Sequence, residues 1–90
     1  MTSFRNKMKE FQSPEYTASR LISEAVILTS YPVEKITAMG GGARLVKLRR
    51  EIFKAMREEG HSDTEIADVF NTDASTIWRS LKKGEASEDR

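Results

Sequence analysis

Cysteine is absent from this sequence of 90 residues, and histidine occurs once, as His61. Without cysteine the chain forms neither a disulfide nor a thiolate metal site. A single imidazole without clustered carboxylates predicts neither a zinc site nor a nucleophile dyad. No nucleophile, base and orienting residue occur at a recognisable spacing, so we expect no enzymatic activity, no metal and no cofactor.

Long apolar runs are also missing. No segment approaches the roughly 20 apolar residues of a membrane span, and the first ten residues contain no apolar core of a signal peptide. We therefore expect a cytoplasmic protein without a membrane partner. No segment is typical of a strand, and a chain of this length suits one small domain. The predicted fold class is all-α, with four to five helices.

The net charge is only +1, but the charges are segregated along the chain. Residues 43–57 hold six basic residues against Glu51 alone, whereas residues 58–73 hold six acidic residues and no lysine or arginine. This split predicts a basic face for phosphates and an acidic face turned to solvent. Double-stranded DNA is the partner that it favours.

Residues 61–84 predict two short helices joined by a tight turn, which is a helix-turn-helix. Ser62 and Glu65 have the spacing of a reciprocal capping box, in which each residue satisfies a backbone N–H of the other. Apolar positions then line one side of the first helix, at Ile66, Val69 and Phe70. The pattern indicates a helix that buries this side against a neighbour.

The turn and the second helix follow from residue types. Asn71 stands where the chain must turn, and asparagine tolerates a left-handed backbone at low cost. Asp73 or Thr72 supplies the next cap, and Gly84 is expected to end the helix. Ile77 and Leu81 form its buried side. Trp78, one residue beyond Ile77, is expected to pack in or against the core, and a position against DNA is the alternative.

The rest of the chain predicts supporting helices. Ser13 and Pro14 start a main helix over residues 14–30, with an apolar stripe from Tyr16 to Leu28. That stripe exceeds what a small core needs, which leaves room for a homodimer contact through residues 14–30. A short helix follows Pro32.

Three consecutive glycines at residues 40–42 then separate the short helix from the basic helix 43–59. We expect this loop to be either mobile or held where its backbone approaches something closely, with a flexible connector favoured. Residues 1–13 predict a flexible or short helical arm, residues 14–84 the helix-turn-helix domain, and residues 85–90 a disordered tail.

Residues 14–83 resemble the C-terminal DNA-binding domain of the bacterial replication initiator DnaA. The shared features are a leading helix, a short Tyr-x-Val-x-x-Ile helix, a loop, a basic helix, and Ser-x-x-Glu-Ile before a capped helix. The resemblance implies an arginine in the minor groove, an arginine on phosphate and a motif that reads major-groove bases. The matching positions are, in that order, Arg44, Arg50, and the set Asp73, Ser75, Thr76 and Ile77.

The sequence departs from that family at Ala74, where the family has histidine, and at Thr72, where it has arginine. The interval from Ile66 to Ile77 is also one residue shorter. Such spacing is similar to the small helix-turn-helix modules of phage regulators and of resolvase-type recombinases and transposases, which is the competing resemblance. No Walker A motif occurs, so no ATPase activity is implied.

Together these patterns predict a sequence-specific DNA-binding protein whose recognition helix, about 74–83, enters the major groove while the basic helix 43–57 contacts phosphates. The expected role is transcriptional regulation in the nucleoid, with a phage or mobile-element origin. The alternatives are replication-origin or plasmid control, and a protein-protein interaction adaptor on the same scaffold. The residues expected to contact DNA are Arg44, Lys47, Arg49, Arg50, Asp73, Ala74, Ser75, Thr76, Arg79, Lys82 and Lys83.

Overall fold

The computed structural model describes residues 13–88, with side chains described as far as residue 83. This part of the chain is all-α and contains no strand, so the predicted fold class is confirmed. The arm predicted for residues 1–13 lies outside the described residues except for Ser13. The helices are α1 Pro14–Thr29, α2 Val33–Thr37, α3 Ala43–Glu58, α4 Asp63–Val69 and α5 Ala74–Glu88.

Helix α1 begins and ends as its sequence predicts. The Ser13 hydroxyl accepts a hydrogen bond from Tyr16 N at 3.1 Å, and Pro14 occupies the first helical position, where its missing N–H costs nothing. Ser30 ends the helix in a left-handed conformation, with φ 65°. Pro32 then precedes α2, the predicted short helix, which has five residues. Within the described residues no helix is both long and apolar enough to cross a bilayer.

Local hydrogen bonds determine where α4 begins and how the chain turns from α4 into α5. Ser62 Oγ accepts from Glu65 N at 3.2 Å, and Ser62 N donates to Glu65 Oε1 at 2.8 Å, so the capping box is confirmed. After α4 the chain turns through Asn71, which has φ 55°, as predicted. Thr72 N donates back to Ala67 O at 2.9 Å, which closes the turn and leaves Asp73 at the start of α5.

The predicted end of α5 is wrong. The helix does not stop at Gly84 but continues to Glu88, and residues 85–88 of the tail expected to be disordered are helical. A single glycine inside a helix costs only about 1 kcal/mol relative to alanine. Glutamate and alanine after Gly84 are good helix formers, so the helix propagates across that position.

All five described helices contribute to one core. Phe53 of α3 and Phe70 after α4 meet edge to face, with centroids 5.0 Å apart and planes at 85°. The fully buried side chains around them are Ile36, Met56, Ile66 and Ile77. Ile77 places one side of α5 in this core, so the orientation of α5 about its own axis is set by packing.

His61 is a buried polar contact between α1 and the turn before α4. Its Nε2 lies 2.9 Å from Thr17 Oγ1, and both side chains are buried. A buried polar group requires a partner, and each of these residues supplies one for the other. The interaction ties α1 to the start of the α4–α5 pair.

Candidate nucleic-acid interface

The outward side of α5 carries most of the residues expected to read DNA. Ser75, Arg79 and Lys82 are exposed, and Ala74 is half-buried. Ser75, Arg79 and Lys82 are three or four residues apart and therefore share one side of the helix. The opposite side carries Ile77, which is 0% exposed. A rigidly packed helix thus presents a polar and cationic surface to solvent.

Asp73 and Thr76 are used in building this helix. Asp73 Oδ1 accepts from Thr76 N at 3.0 Å and from Thr76 Oγ1 at 2.9 Å, which makes Asp73 the cap of α5. These two hydrogen bonds, aided by the charge of Arg79, lower the pKa of Asp73 below its usual value. The two side chains therefore stabilise the start of α5, and a contact between either of them and DNA stays a prediction.

Trp78 corrects a second prediction. It was expected in or against the core, but 52% of its surface is exposed, and Lys82 Nζ lies 5.5 Å from its ring centroid. The signal was present in the sequence. A residue one position beyond Ile77 is rotated by about 100° around the helix, which places it with Ser75 and Lys82.

A groove of about 390 Å³ lies beside the start of α5, lined by Asp63, Ala74, Ser75, Trp78 and Arg79. Asp63 is its one acidic member, and Asp63 Oδ1 lies 3.5 Å from Arg57 Nη1. The first turn of α4 and the outward side of α5 therefore share a surface. The sequence predicts only that Asp63 lies in an acidic segment that faces solvent.

A second depression of about 220 Å³ separates α3 from α5, and we call it the cationic cleft. Arg50, Arg79 and Lys83 stand on its rim, and Arg50 Nε donates to Ser80 O at 2.9 Å. None of its lining residues is acidic. The apolar side chains that line it are Met39, Val46 and Phe53. The basic helix and α5 thus combine their cations on one surface.

Arg49 does not belong to that surface as a phosphate ligand. It is 3% exposed, and its guanidinium donates to three backbone carbonyls. The distances are 2.7 Å to Ile36 O, 3.1 Å to Lys35 O and 2.6 Å to Gly40 O. Burial lowers the pKa of Arg49 from its ordinary value. The DNA contact predicted for Arg49 is wrong, because the side chain binds α2 and the glycine loop to α3.

Arg44 is placed apart from the other predicted contacts. It lines a hollow with Leu28, Thr29, Tyr31 and Leu48, and no residue of α5 takes part. Lys47 is exposed on α3. The structure therefore brings Arg50, Arg79 and Lys83 together and leaves the minor-groove role of Arg44 a prediction.

The apolar stripe predicted on α1 is correct only in part. Its buried side consists of Ala18, Ile22 and Ala25, whereas Leu28 is 83% exposed and Ile27 is 80% exposed. The buried side ends at Ala25, and the two residues near the helix end are largely uncovered, although Leu28 borders the hollow that contains Arg44 and Leu48. Ile27 and Leu28 form an exposed apolar pair.

No protein-family model matches the sequence, and neither the curated proteins nor the solved structures include a significant match. Within the described residues, no group of three or more histidine, aspartate or glutamate side chains is placed to hold a metal ion.

Proposed function

We propose that the protein binds double-stranded DNA, with α5 in the major groove and the cationic cleft on adjacent phosphates. The observation that carries the proposal is the division of α5 into two sides. Ile77 is fully buried, while Ser75 and Arg79 are exposed on a surface without competing contacts from α1 or α2. A helix held in this way matches the width of the major groove.

Affinity would come from the cations around the cleft. Arg79 and Lys83 are one helical turn apart on α5, and Arg50 faces them from α3. The hydrogen bond from Arg50 Nε to Ser80 O orients the guanidinium before any ligand arrives. Such contacts neutralise phosphates and release counterions, so they supply affinity without sequence information.

Sequence preference would come from the start of α5. The Ser75 hydroxyl both donates and accepts hydrogen bonds, and Arg79, which lines both depressions, offers a bidentate contact with guanine O6 and N7 as the alternative to a phosphate. A good bidentate pair is worth about 1–3 kcal/mol of discrimination against the wrong base. Transcriptional regulation is the role that we propose for this binding, and replication-origin or plasmid control is the alternative within the same class.

A salt titration tests the proposal. We expect duplex DNA to bind with an affinity that falls linearly on a logarithmic scale of salt concentration. Arg79→Ala and Arg50→Ala should each flatten this slope by about one unit. Lys35→Ala is the matched control, because Lys35 is an exposed cation on α2 that lines neither depression. Slopes that are equal in the wild type and in Arg79→Ala would remove the cleft from the DNA contact.

A protein-interaction module is the second candidate function, and the exposed pair Ile27 and Leu28 favours it. Both side chains lie near the C-terminal end of α1 and are available to an apolar partner surface. The partner that we propose for this patch is a second copy of the chain, related by a twofold axis. An apolar interface is nearly indifferent to salt, so the same titration separates this activity from DNA binding.

A further inference from the structure

Trp78 is the only tryptophan in the sequence and lies outside the hydrophobic core. The adjacent Ile77 is fully buried, yet more than half of the indole is exposed to solvent. Burial of a large apolar ring is favourable, and this fold leaves that gain largely unused. An aromatic side chain on the outward side of a polar helix is therefore available to a partner.

The surroundings of Trp78 indicate what it contacts. In the groove beside α5, the indole and the Ala74 methyl group are four residues apart and lie on the same side of the helix. Lys82 approaches the ring from the next turn, and Arg79 flanks it. The apolar surface is thus small, and cations and the Ser75 hydroxyl surround it.

The major groove offers one apolar group to such a surface. Each base pair presents donors and acceptors there, and thymine alone adds a methyl group, at C5. We propose that Trp78, together with the Ala74 methyl group, recognises a thymine methyl and makes thymine the preferred base at one position of the bound DNA sequence. This inference rests on the proposed DNA binding and identifies the base that the groove selects.

The test removes one methyl group at a time. A preferred duplex is first selected from random sequences, and each thymine is then replaced by deoxyuridine, which keeps the hydrogen-bonding edge unchanged. We expect one or two of these replacements to weaken wild-type binding about four-fold, the effect of one buried carbon. The same replacements should have a clearly smaller effect on the affinity of Trp78→Ala, in which only the Ala74 methyl group remains to contact the thymine, because two changes that act through one contact are not additive.

Lys82→Ala is the matched control. It keeps the indole and removes the neighbouring cation, so the four-fold methyl effect should persist while the salt dependence falls. Trp78 is exposed, and we expect Trp78→Ala to retain the circular dichroism spectrum and the melting temperature of the wild type. Retention of both confirms that a change in binding does not come from misfolding.

Four results would overturn the inference. Equal wild-type affinity for every deoxyuridine duplex shows that no methyl group is read. An unchanged methyl effect in Trp78→Ala assigns the contact to another residue. Tighter binding to a single strand than to the duplex indicates stacking on an unpaired base instead. The absence of any binding to duplex at low salt overturns the proposed function as well, and that result differs from the other three.

Discussion

Arg49 and Arg50 are adjacent in the sequence but have different roles in the structure. Arg49 is buried and donates to three carbonyls, whereas Arg50 makes one hydrogen bond to Ser80 and lines the cationic cleft. The sequence predicts that both arginines contact phosphates, because both are basic residues of one helix. Helical spacing distinguishes them, because Arg49 is four residues after Leu45 and three before Ile52, both of which are buried, but its carbonyl partners are set by tertiary structure.

Arg49→Lys should destabilise the fold by about 2–4 kcal/mol, because one ammonium group cannot satisfy three carbonyls spread over α2 and the loop. Urea unfolding followed by circular dichroism measures this loss. Arg50→Ala is the comparison and should cost about 1 kcal/mol, since it removes a single hydrogen bond to Ser80 O. A larger loss for Arg50→Ala would reverse the two roles.

The capping carboxylates predict a pH dependence. The Ser62 backbone N–H lowers the pKa of Glu65, and the Thr76 backbone N–H lowers the pKa of Asp73. A carboxyl whose pKa is depressed in the folded state adds stability above its unfolded pKa of about 4 and loses it as the pH falls through the folded value. We expect the urea midpoint to decrease below about pH 4 for this reason.

The variant with both Glu65→Gln and Asp73→Asn isolates these two groups. Asparagine and glutamine retain hydrogen-bonding oxygens but do not titrate. The decrease in the urea midpoint between about pH 5 and pH 2 should be shallower in this variant than in the wild type. An identical decrease in both proteins would attribute the acid sensitivity to other carboxyl groups.

At the scale of elements, local signals predicted the helix starts well. The Ser13 cap, the capping box of Ser62 and Glu65, and the left-handed Asn71 depend on neighbours within a few residues, and the structure contains all three. The glycine loop could not be predicted in the same way. Its Gly40 carbonyl accepts from Arg49, a contact between different elements.

The glycine loop offers a matched pair of substitutions. Gly40 and Gly41 have φ values of 94° and 90°, so alanine is strained at either position. A Cβ at Gly41 would also lie 2.9 Å from Leu45 Cδ1, whereas a Cβ at Gly40 meets nothing within 4 Å. Gly41→Ala should therefore lower the melting temperature more than Gly40→Ala. Equal shifts would show that the contact with Leu45 relaxes at no cost.

At the scale of the molecule, the apolar pair on α1 predicts an oligomeric state. We expect the wild type to sediment as a dimer at micromolar concentrations, and the double variant Ile27→Ser, Leu28→Ser to sediment as a monomer with an unchanged melting curve. Both residues are at least 80% exposed, so serine removes apolar contact without opening a cavity in the core. A monomeric wild type would contradict the dimer and would predict binding to a single, non-palindromic site.

The surface around α5 was predictable in outline from its helical spacing. The spacing assigned Ser75, Arg79 and Lys82 to the outward side, and these residues are exposed. It did not indicate that Arg50 meets the same surface from α3, because the angle between the two helices is not encoded locally. The cationic cleft is therefore a product of packing.

The hydrogen bond from Arg50 to Ser80 couples anchoring with orientation. When an anion displaces the Arg50 guanidinium, the hydrogen bond transmits a force to Ser80 O, in the middle of α5, and this force changes the tilt of that helix. In the DNA complex that we propose, a change at residue 50 would then alter both the affinity for a duplex and the angle at which α5 enters the major groove. A variant designed to prefer another DNA sequence would have to retain the hydrogen bond from Arg50 to Ser80.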